Sequence, residues 1–203
     1  VPLPSMSPAV GCAAGSSFTY GQGHPPSSAG HRSGFRGIEY HSRIAKPAAG
    51  RPVHAAEAVG PLPAWEQGLV TFGSFNKPAK VGAQVVEVWA RILRRLPGSR
   101  LVLKHRGYAS SASERLLGQF QALGVAPERV SLGDWSSPGE LPAHYRRVDI
   151  ALDTFPYSGG ATTCEALWMG VPVVTCPGET FASRHSLSHL STVGLTETIA
   201  GDL

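Results

Sequence analysis

Residues 150–165 read IALDTFPYSGGATTCE, and this stretch does most to decide the fold. An apolar run ends at Asp153, a turn with Gly159 and Gly160 follows, and a helical pattern then begins. Free N–H groups at a helix N-terminus favour an anion, and glycines let backbone approach it closely. The pattern therefore fits either a phosphate-type anion site or a plain strand-to-helix turn with a threonine cap.

From residue 61 onward the chain alternates short apolar runs with amphipathic helical patterns. Strands are predicted at 69–72, 100–104, 130–132, 150–152 and 171–175. Helices are predicted at 85–96, 113–123, 141–147, 162–169 and 181–190. Because right-handed crossovers join such elements, the alternation predicts an α/β domain with a Rossmann-like parallel sheet and helices on both faces.

The composition suits a globular protein rather than a disordered one, since the 203 residues are 42% hydrophobic and 16% charged. No apolar run approaches the roughly 20 residues that span a bilayer, and no signal peptide is evident, so we expect no membrane partner. The cysteines at 12, 164 and 176 have no metal-type spacing. Their odd number favours a reducing, cytoplasmic setting, and we expect no metal site.

The formal charge of +4 does not by itself indicate a nucleic-acid ligand. Arg91, Arg94 and Arg95 fall opposite the apolar face of a helix, and no interleaved aromatics would stack on bases. Other site classes lack their motifs, because no GxGxxG follows the first strand and no GxSxG elbow occurs. Ser183 and His185 have no evident buried carboxylate partner for a catalytic triad.

Residues 1–60 are rich in Gly, Pro, Ala, Ser and His and show no strand or helix period. Their histidines, separated by 7, 10 and 13 residues, match no common metal site. We predict a low-order or non-homologous segment at 1–60 and a folded domain at 61–203. The bias of the first segment is that of a shifted reading frame or a misannotated start, a hypothesis that the coding DNA tests.

Ligands of such sheets bind beyond the carboxyl ends of the strands, and three predicted loops lie there, at 73–80, 153–163 and 175–184. Their candidate binding residues are Asn76, Lys77, Lys80, Gly159, Gly160, Thr162, Thr163, Glu179 and Arg184. Lysine suits a diphosphate as a mobile point charge. Glu179 fits either a sugar or ribose hydroxyl or an ion pair with Arg184.

Taken together and in order, these loops resemble the catalytic region of O-linked N-acetylglucosaminyltransferases and the related SPINDLY proteins, glycosyltransferase family 41. The matching segments are FGSFN at 72–76 with Lys80, VDIALD at 148–153, PYSGG at 156–160, Thr162-Thr163, ALW at 166–168, GVPVVT at 170–175, and PGET at 177–180 with Ser183-Arg184. The joint pattern covers residues 61–203 and is similar to the bacterial branch, whose members often carry tetratricopeptide repeats upstream.

The resemblance implies a GT-B architecture, with this chain as the C-terminal, nucleotide-sugar-binding half, truncated at its own C-terminus. It implies that Lys80 contacts the donor diphosphate and is the catalytic residue of this half. Ala161 joins the phosphate-binding turn, Asp153 lies beside it, and Glu165 stands where many relatives contact the ribose.

The activity that the resemblance implies is inverting, metal-independent transfer of N-acetylglucosamine from UDP-N-acetylglucosamine to Ser or Thr of an acceptor protein. No cofactor beyond this substrate is implied. SPINDLY members imply GDP-fucose as an alternative donor. An inactive nucleotide-binding remnant is a further alternative, because residues 1–60 do not match the missing catalytic half or repeat region. A sugar-nucleotide epimerase shares the architecture but not the GETxASR-like loop.

Two positions depart from the better-known animal enzymes of the family. Their His-Thr-Thr turn is replaced here by Gly160-Ala161-Thr162. Their base-contacting lysine and stacking histidine align near Pro138 and Leu141, which cannot play those roles, and His144 is a candidate substitute. The nucleobase is therefore left open by the sequence.

Overall fold

The computed structural model describes residues 59–108, 112–134, 136 and 140–203. Within these ranges one parallel sheet has the strand order β3-β2-β1-β4-β5. The strands are β1 (Thr71–Ser74), β2 (Arg100–Lys104), β3 (Val130–Gly133), β4 (Ile150–Leu152) and β5 (Val173–Val174). The predicted α/β, Rossmann-like parallel sheet is confirmed. The predicted low-order segment, except for its last two residues, lies outside the described ranges, as does Pro138.

Helices connect the strands and supply the crossovers that a parallel sheet requires. The α-helices of the described ranges are α1 (Pro63–Gln67), α2 (Ala83–Arg95), α3 (Ala112–Ala122), α4 (Leu141–Tyr145), α5 (Ala161–Trp168) and α6 (His185–Val193). Short 3₁₀ turns lie at Pro78–Lys80, Arg106–Tyr108, Pro127–Arg129, Phe181–Ser183 and Thr196–Thr198. None of the described helices combines the length and apolar character that crossing a bilayer demands.

Two apolar clusters show that both faces of the sheet are covered. Trp89 of α2 and Phe120 of α3 pack with Leu152 of β4 in one cluster. Ala151, the neighbouring residue on β4, belongs to the second cluster, together with Leu167 of α5. Since successive side chains of a strand point to opposite faces, the sheet is sandwiched between α2 and α3 on one side and α5 on the other.

Several element boundaries differ from the sequence prediction. β1 runs through Gly73, where an added Cβ would lie 2.6 Å from a methyl group of Val148, so the glycine permits close packing inside the strand. β5 has only two residues in place of the five predicted, although Thr175 still forms a parallel bridge with Ile199.

The predicted helix at 181–190 is divided into a 3₁₀ turn and α6. The Ser158 hydroxyl accepts a hydrogen bond from the His185 N–H at 3.1 Å, at the start of α6. An acceptor supplied by a distant loop thus satisfies one of the free donors of the helix N-terminus. Local sequence periodicity could not predict this partner.

Candidate functional site

The strand order places the crevice of the sheet between β1 and β4. The chain first extends the sheet on one side through β2 and β3, and then returns to pair β4 with β1. Such a reversal leaves a cleft at the carboxyl ends of the two strands. The loops after β1, β4 and β5 therefore lie side by side, as the sequence predicted for 73–80, 153–163 and 175–184.

The carboxylate of Asp153 organises the glycine turn after β4. One oxygen accepts the backbone N–H of Thr154 at 2.8 Å and that of Gly159 at 2.6 Å. The other oxygen accepts the Thr175 hydroxyl at 2.8 Å, which joins the turn to the end of β5. Asp153 is buried, so in this structure the carboxylate shapes the predicted anion site from below rather than facing a ligand.

Gly159 is the position at which this turn requires glycine. A Cβ there would lie 2.7 Å from the hydroxyl oxygens of both Thr162 and Thr163, and 3.1 Å from Asp153 Oδ1. At Gly160, in contrast, an added Cβ would have no heavy atom within 4 Å. The two adjacent glycines therefore have different roles, which the sequence did not separate.

Helix α5 presents its N-terminus to the crevice. It begins at Ala161 after Gly160, and no side chain of the described residues caps it. The Thr162 hydroxyl donates to Asn76 Oδ1 at 3.2 Å, which ties the helix to the loop after β1. The Thr163 hydroxyl is buried and pairs with Ser186 at 2.8 Å, so it supports the turn from inside.

Lys80 crosses from the first loop to the glycine turn. Its Nζ donates to the Ser158 carbonyl at 2.8 Å and lies 4.1 Å from the centroid of the Tyr157 ring. Burial lowers the pKa of Lys80, an effect opposed by Asp153 and assisted by Lys77. The predicted lysine is thus brought to the predicted turn, whereas Lys77 is exposed at the start of the 3₁₀ turn.

The third loop closes over the glycine turn through its backbone. The N–H and the hydroxyl of Ser158 both donate to the Ala182 carbonyl, at 2.9 and 3.1 Å. Arg184 donates to the Gly178 carbonyl at 3.0 Å, while Glu179 is exposed. Arg184 therefore bonds to backbone in this structure, and the ion pair considered for Glu179 is not formed among the described residues.

Glu165 lies on α5, beside a buried tyrosine that the sequence analysis did not single out. The Tyr145 hydroxyl donates to Glu165 Oε2 and to the Thr162 carbonyl, both at 3.2 Å. Burial, and then the charge and hydrogen bond of Glu165, raise the pKa of Tyr145. The ring packs 4.1 Å from that of Phe75, in the wall of a small pocket that Asn76 and Asp153 also line.

His144, the candidate substitute for a base-contacting residue, lies at the β2 and β3 side of the crevice. Its Nε2 is 2.9 Å from the Ser136 hydroxyl. Burial lowers the pKa of His144, and the charges of Lys104 and Arg147 lower it further against the effect of Glu140. These effects favour the neutral form of the imidazole. Lys104 itself donates to the Asp134 carbonyl at 2.8 Å.

Nothing in the described part of the chain groups three or more His, Cys, Asp or Glu side chains in an arrangement suited to a metal ion. Lys80 supplies an ammonium that contacts the glycine turn. Tyr157, Ser158 and Thr175 lie in the matching segments but were assigned no role in the site from the sequence; in the structure they contact Lys80 and Asp153. A tyrosine and a serine directly before the glycines, and a threonine at the end of the next strand, were the available signals.

Comparisons with known proteins find relatives of this chain. The family model described as glycosyl transferase family 41 matches residues 46–203. A Petunia hybrida protein, named a probable UDP-N-acetylglucosamine-peptide N-acetylglucosaminyltransferase SPINDLY, is 45% identical over 155 residues. The match covers 73% of this chain and 16% of that relative, so the chain spans about a sixth of its length.

Two further relatives extend the comparison. The UDP-N-acetylglucosamine-peptide N-acetylglucosaminyltransferase of Caenorhabditis elegans is 30% identical over 131 residues, which are 64% of this chain and 11% of the relative. A solved structure of a lysine-to-methionine mutant of the Thermobaculum terrenum O-GlcNAc transferase is 43% identical, with a TM-score of 0.64. The match covers 66% of this chain and 26% of the solved chain.

Proposed function

This chain belongs to glycosyltransferase family 41, and on that premise we propose that it is the donor-binding half of a protein O-glycosyltransferase. The donor is a nucleotide sugar, in the first instance UDP-N-acetylglucosamine, and the acceptor is a Ser or Thr hydroxyl of a protein. The observation that carries the proposal is the position of Lys80, whose ammonium lies against the glycine turn that leads into helix α5.

The chemistry that this half supplies is stabilisation of the leaving group. In an inverting transfer the acceptor oxygen bonds to the anomeric carbon as the bond from that carbon to the diphosphate oxygen breaks. The diphosphate leaves with the electron pair, and the hydroxyl proton passes to a base or to solvent. Lys80 and the N–H groups at the start of α5 are positive where that charge develops, so they would stabilise the transition state without a metal.

The roles of the other site residues follow from their contacts. Gly159, Gly160, Ala161 and Thr162 form the surface that would face the diphosphate. Asp153 and Thr163 act beneath this surface, because the Asp153 carboxylate accepts the Gly159 N–H and the Thr163 hydroxyl pairs with Ser186 of helix α6.

The remaining predicted residues flank the diphosphate site. Asn76 orients Thr162, and Lys77 adds positive charge near the entrance. Glu165, Glu179 and Arg184 are the side chains proposed for the ribose and sugar hydroxyls.

A GDP-linked fucose is the second candidate donor. This alternative follows from the resemblance to SPINDLY members, although the SPINDLY relatives at 43–45% identity are named as probable UDP-N-acetylglucosamine transferases. Gly160, in place of the histidine of the animal enzymes, leaves the donor open. His144, whose pKa is lowered by burial and by the charge of Lys104, is the side chain proposed to contact the nucleobase.

An inactive nucleotide-binding remnant is the non-catalytic alternative.

The partners that full activity would need are the upstream catalytic half, a repeat region and the acceptor protein. Nucleic acid and membrane are not proposed as partners. We place the protein in the cytoplasm, a setting that suits the free thiols of Cys164 and Cys176.

Calorimetric titration of the 203-residue chain with UDP and with GDP tests the proposal. We expect binding to one of the two, weakened at least tenfold by Lys80→Met and unchanged by Arg91→Met, which removes a charge from the exposed side of α2. A parallel assay with radiolabelled sugar nucleotides separates enzyme from remnant. Transfer would exclude the remnant, and failure of both diphosphates to bind would contradict the proposal.

A further inference from the structure

The side chain of Tyr157 has no structural role in the apolar core. It is 52% exposed and belongs to neither apolar cluster. The turn is fixed by bonds that do not involve its ring, because the Tyr157 carbonyl accepts the Thr154 hydroxyl at 2.8 Å and the next N–H bonds to Ala182. What the ring does contact is Lys80, with Nζ 4.1 Å from the ring centroid.

The ring contact is one of two that hold the Lys80 ammonium. Nζ also donates to the Ser158 carbonyl at 2.8 Å, so two consecutive residues of the turn engage one lysine that lies 78 residues away in sequence. An ammonium within about 6 Å of an aromatic centroid is attracted by the negative face of the ring. A lysine stem is otherwise flexible, and ordering it when an anion binds would reduce the affinity.

We infer that Tyr157 is a positioning residue: its ring holds the Lys80 ammonium at the glycine turn before the donor arrives, so that the diphosphate meets a fixed cation. The inference rests on the proposed function, since it assigns the turn to a diphosphate. It differs from direct recognition of base or sugar by Tyr157, which would also use an exposed ring but would not depend on Lys80.

Two substitutions distinguish the role of the Tyr157 ring from that of its hydroxyl. Tyr157→Phe keeps the aromatic face, and Tyr157→Leu keeps an apolar side chain without it. Titrations use UDP and inorganic pyrophosphate, which has neither base nor sugar. We expect Tyr157→Leu to weaken both ligands by the same factor, about threefold to tenfold, and Tyr157→Phe to stay within about twofold of wild type.

The contact also has a signature that needs no ligand. In the free chain, the ring should shift the NMR signals of the Lys80 ε-methylene protons upfield, and Tyr157→Leu should abolish this shift while Tyr157→Phe retains it. Circular dichroism checks that both variants keep the fold of the parent. A purely structural role for Tyr157 would alter the thermal transition and leave no such ring-current signature.

Several results would overturn the inference. Loss of UDP binding with unchanged pyrophosphate binding in Tyr157→Leu would assign the ring to the base or sugar. Equal losses in Tyr157→Phe and Tyr157→Leu would assign the role to the hydroxyl. If the wild-type chain binds neither ligand, the proposed function fails, and absence of the ring-current shift would then refute the positioning of Lys80 independently.

Discussion

The Asp153 carboxylate accepts the backbone N–H of Gly159 at 2.6 Å, and this bond fixes the shape of the turn that precedes helix α5. The same carboxylate accepts Thr154 N–H and the Thr175 hydroxyl. The resemblance placed Asp153 beside the phosphate-binding turn, and in the structure its carboxylate holds that turn together through hydrogen bonds. Because the bond spans only six residues, it forms a closed local unit around the turn.

Replacing Asp153 should therefore reduce stability first and binding as a consequence. Asp153→Ala removes three accepted hydrogen bonds and leaves buried donors unpaired, so we expect a loss of about 2–4 kcal/mol in the free energy of unfolding. Asp153→Asn should lose less, since its amide oxygen can still accept the Gly159 N–H. Urea unfolding measures both. Equal losses for the two variants would contradict the assignment of the carboxylate as a hydrogen-bond acceptor for the turn.

The two adjacent glycines offer a matched pair of substitutions. Gly159→Ala places a Cβ 2.7 Å from two threonine hydroxyl oxygens, and the crowding should cost about 1–3 kcal/mol. Gly160→Ala, with no heavy atom within 4 Å of the added Cβ and a negative φ of −113°, should cost less than about 1 kcal/mol. Thermal unfolding of the two variants in parallel checks the order. Greater destabilisation by Gly160→Ala would show that the turn is shaped differently.

The charge of Lys80 should make donor binding dependent on pH. Burial lowers its pKa from the ordinary 10.5, so the ammonium loses its proton earlier in a rising pH titration than a free lysine would. Binding of an anionic diphosphate requires the protonated form, and affinity should therefore fall as the pH rises from 7.5 toward 10. Lys80→Arg stays charged across this range and should lack this component of the decline.

Calorimetry at several pH values measures this effect. Since the uracil of UDP also titrates at alkaline pH in both proteins, the difference between wild type and Lys80→Arg isolates the lysine. Proton uptake on binding, read from the dependence of the heat on the buffer, should appear in the wild type at the alkaline end. If the affinity falls equally with pH in the wild type and in Lys80→Arg, Lys80 does not contact the diphosphate.

Local sequence patterns were sufficient to predict the strands whose apolar residues are bounded by polar ones. β2 at Arg100–Lys104 and β4 at Ile150–Leu152 have the bounds that the sequence predicted. The ends of the strands that carry the site were also predictable, because in a parallel sheet the loops that follow adjacent strands meet at one edge. The turn from β4 to α5 could therefore be predicted as a binding loop from the sequence alone.

Contacts between distant segments could not be predicted in this way. The sequence indicated Lys80 as a cation, but not that Ser158 and Tyr157 would hold it. Hydroxyl side chains are compatible with many partners, so periodicity gives no reason to pair Thr163 with Ser186. Asp149 is a similar case: its buried carboxylate accepts the N–H groups of Ala64 and Thr71, which lie about 80 residues earlier in the chain.

Arg129 provides a prediction about stability at the edge of the sheet opposite the site. It lies just before β3, and its guanidinium donates to the carbonyls of Leu93, Leu96 and Ser99 at 2.8–3.0 Å. The Leu93 carbonyl lies in the last turn of α2, where a cation is also favoured by the helix dipole. Arg129→Ala should reduce the free energy of unfolding by about 1–3 kcal/mol.

Two comparisons make the Arg129 prediction specific. Arg91→Ala removes an exposed arginine from α2 and should change the free energy of unfolding by less than about 0.5 kcal/mol. Arg129→Lys should recover only part of the loss, because a lysine cannot match the planar fork that bonds several carbonyls at once. Since Arg129 precedes β3 and the site follows the strands, diphosphate affinity of the folded variant should equal that of the wild type. Loss of affinity without loss of stability would show that Arg129 acts on the crevice rather than on α2.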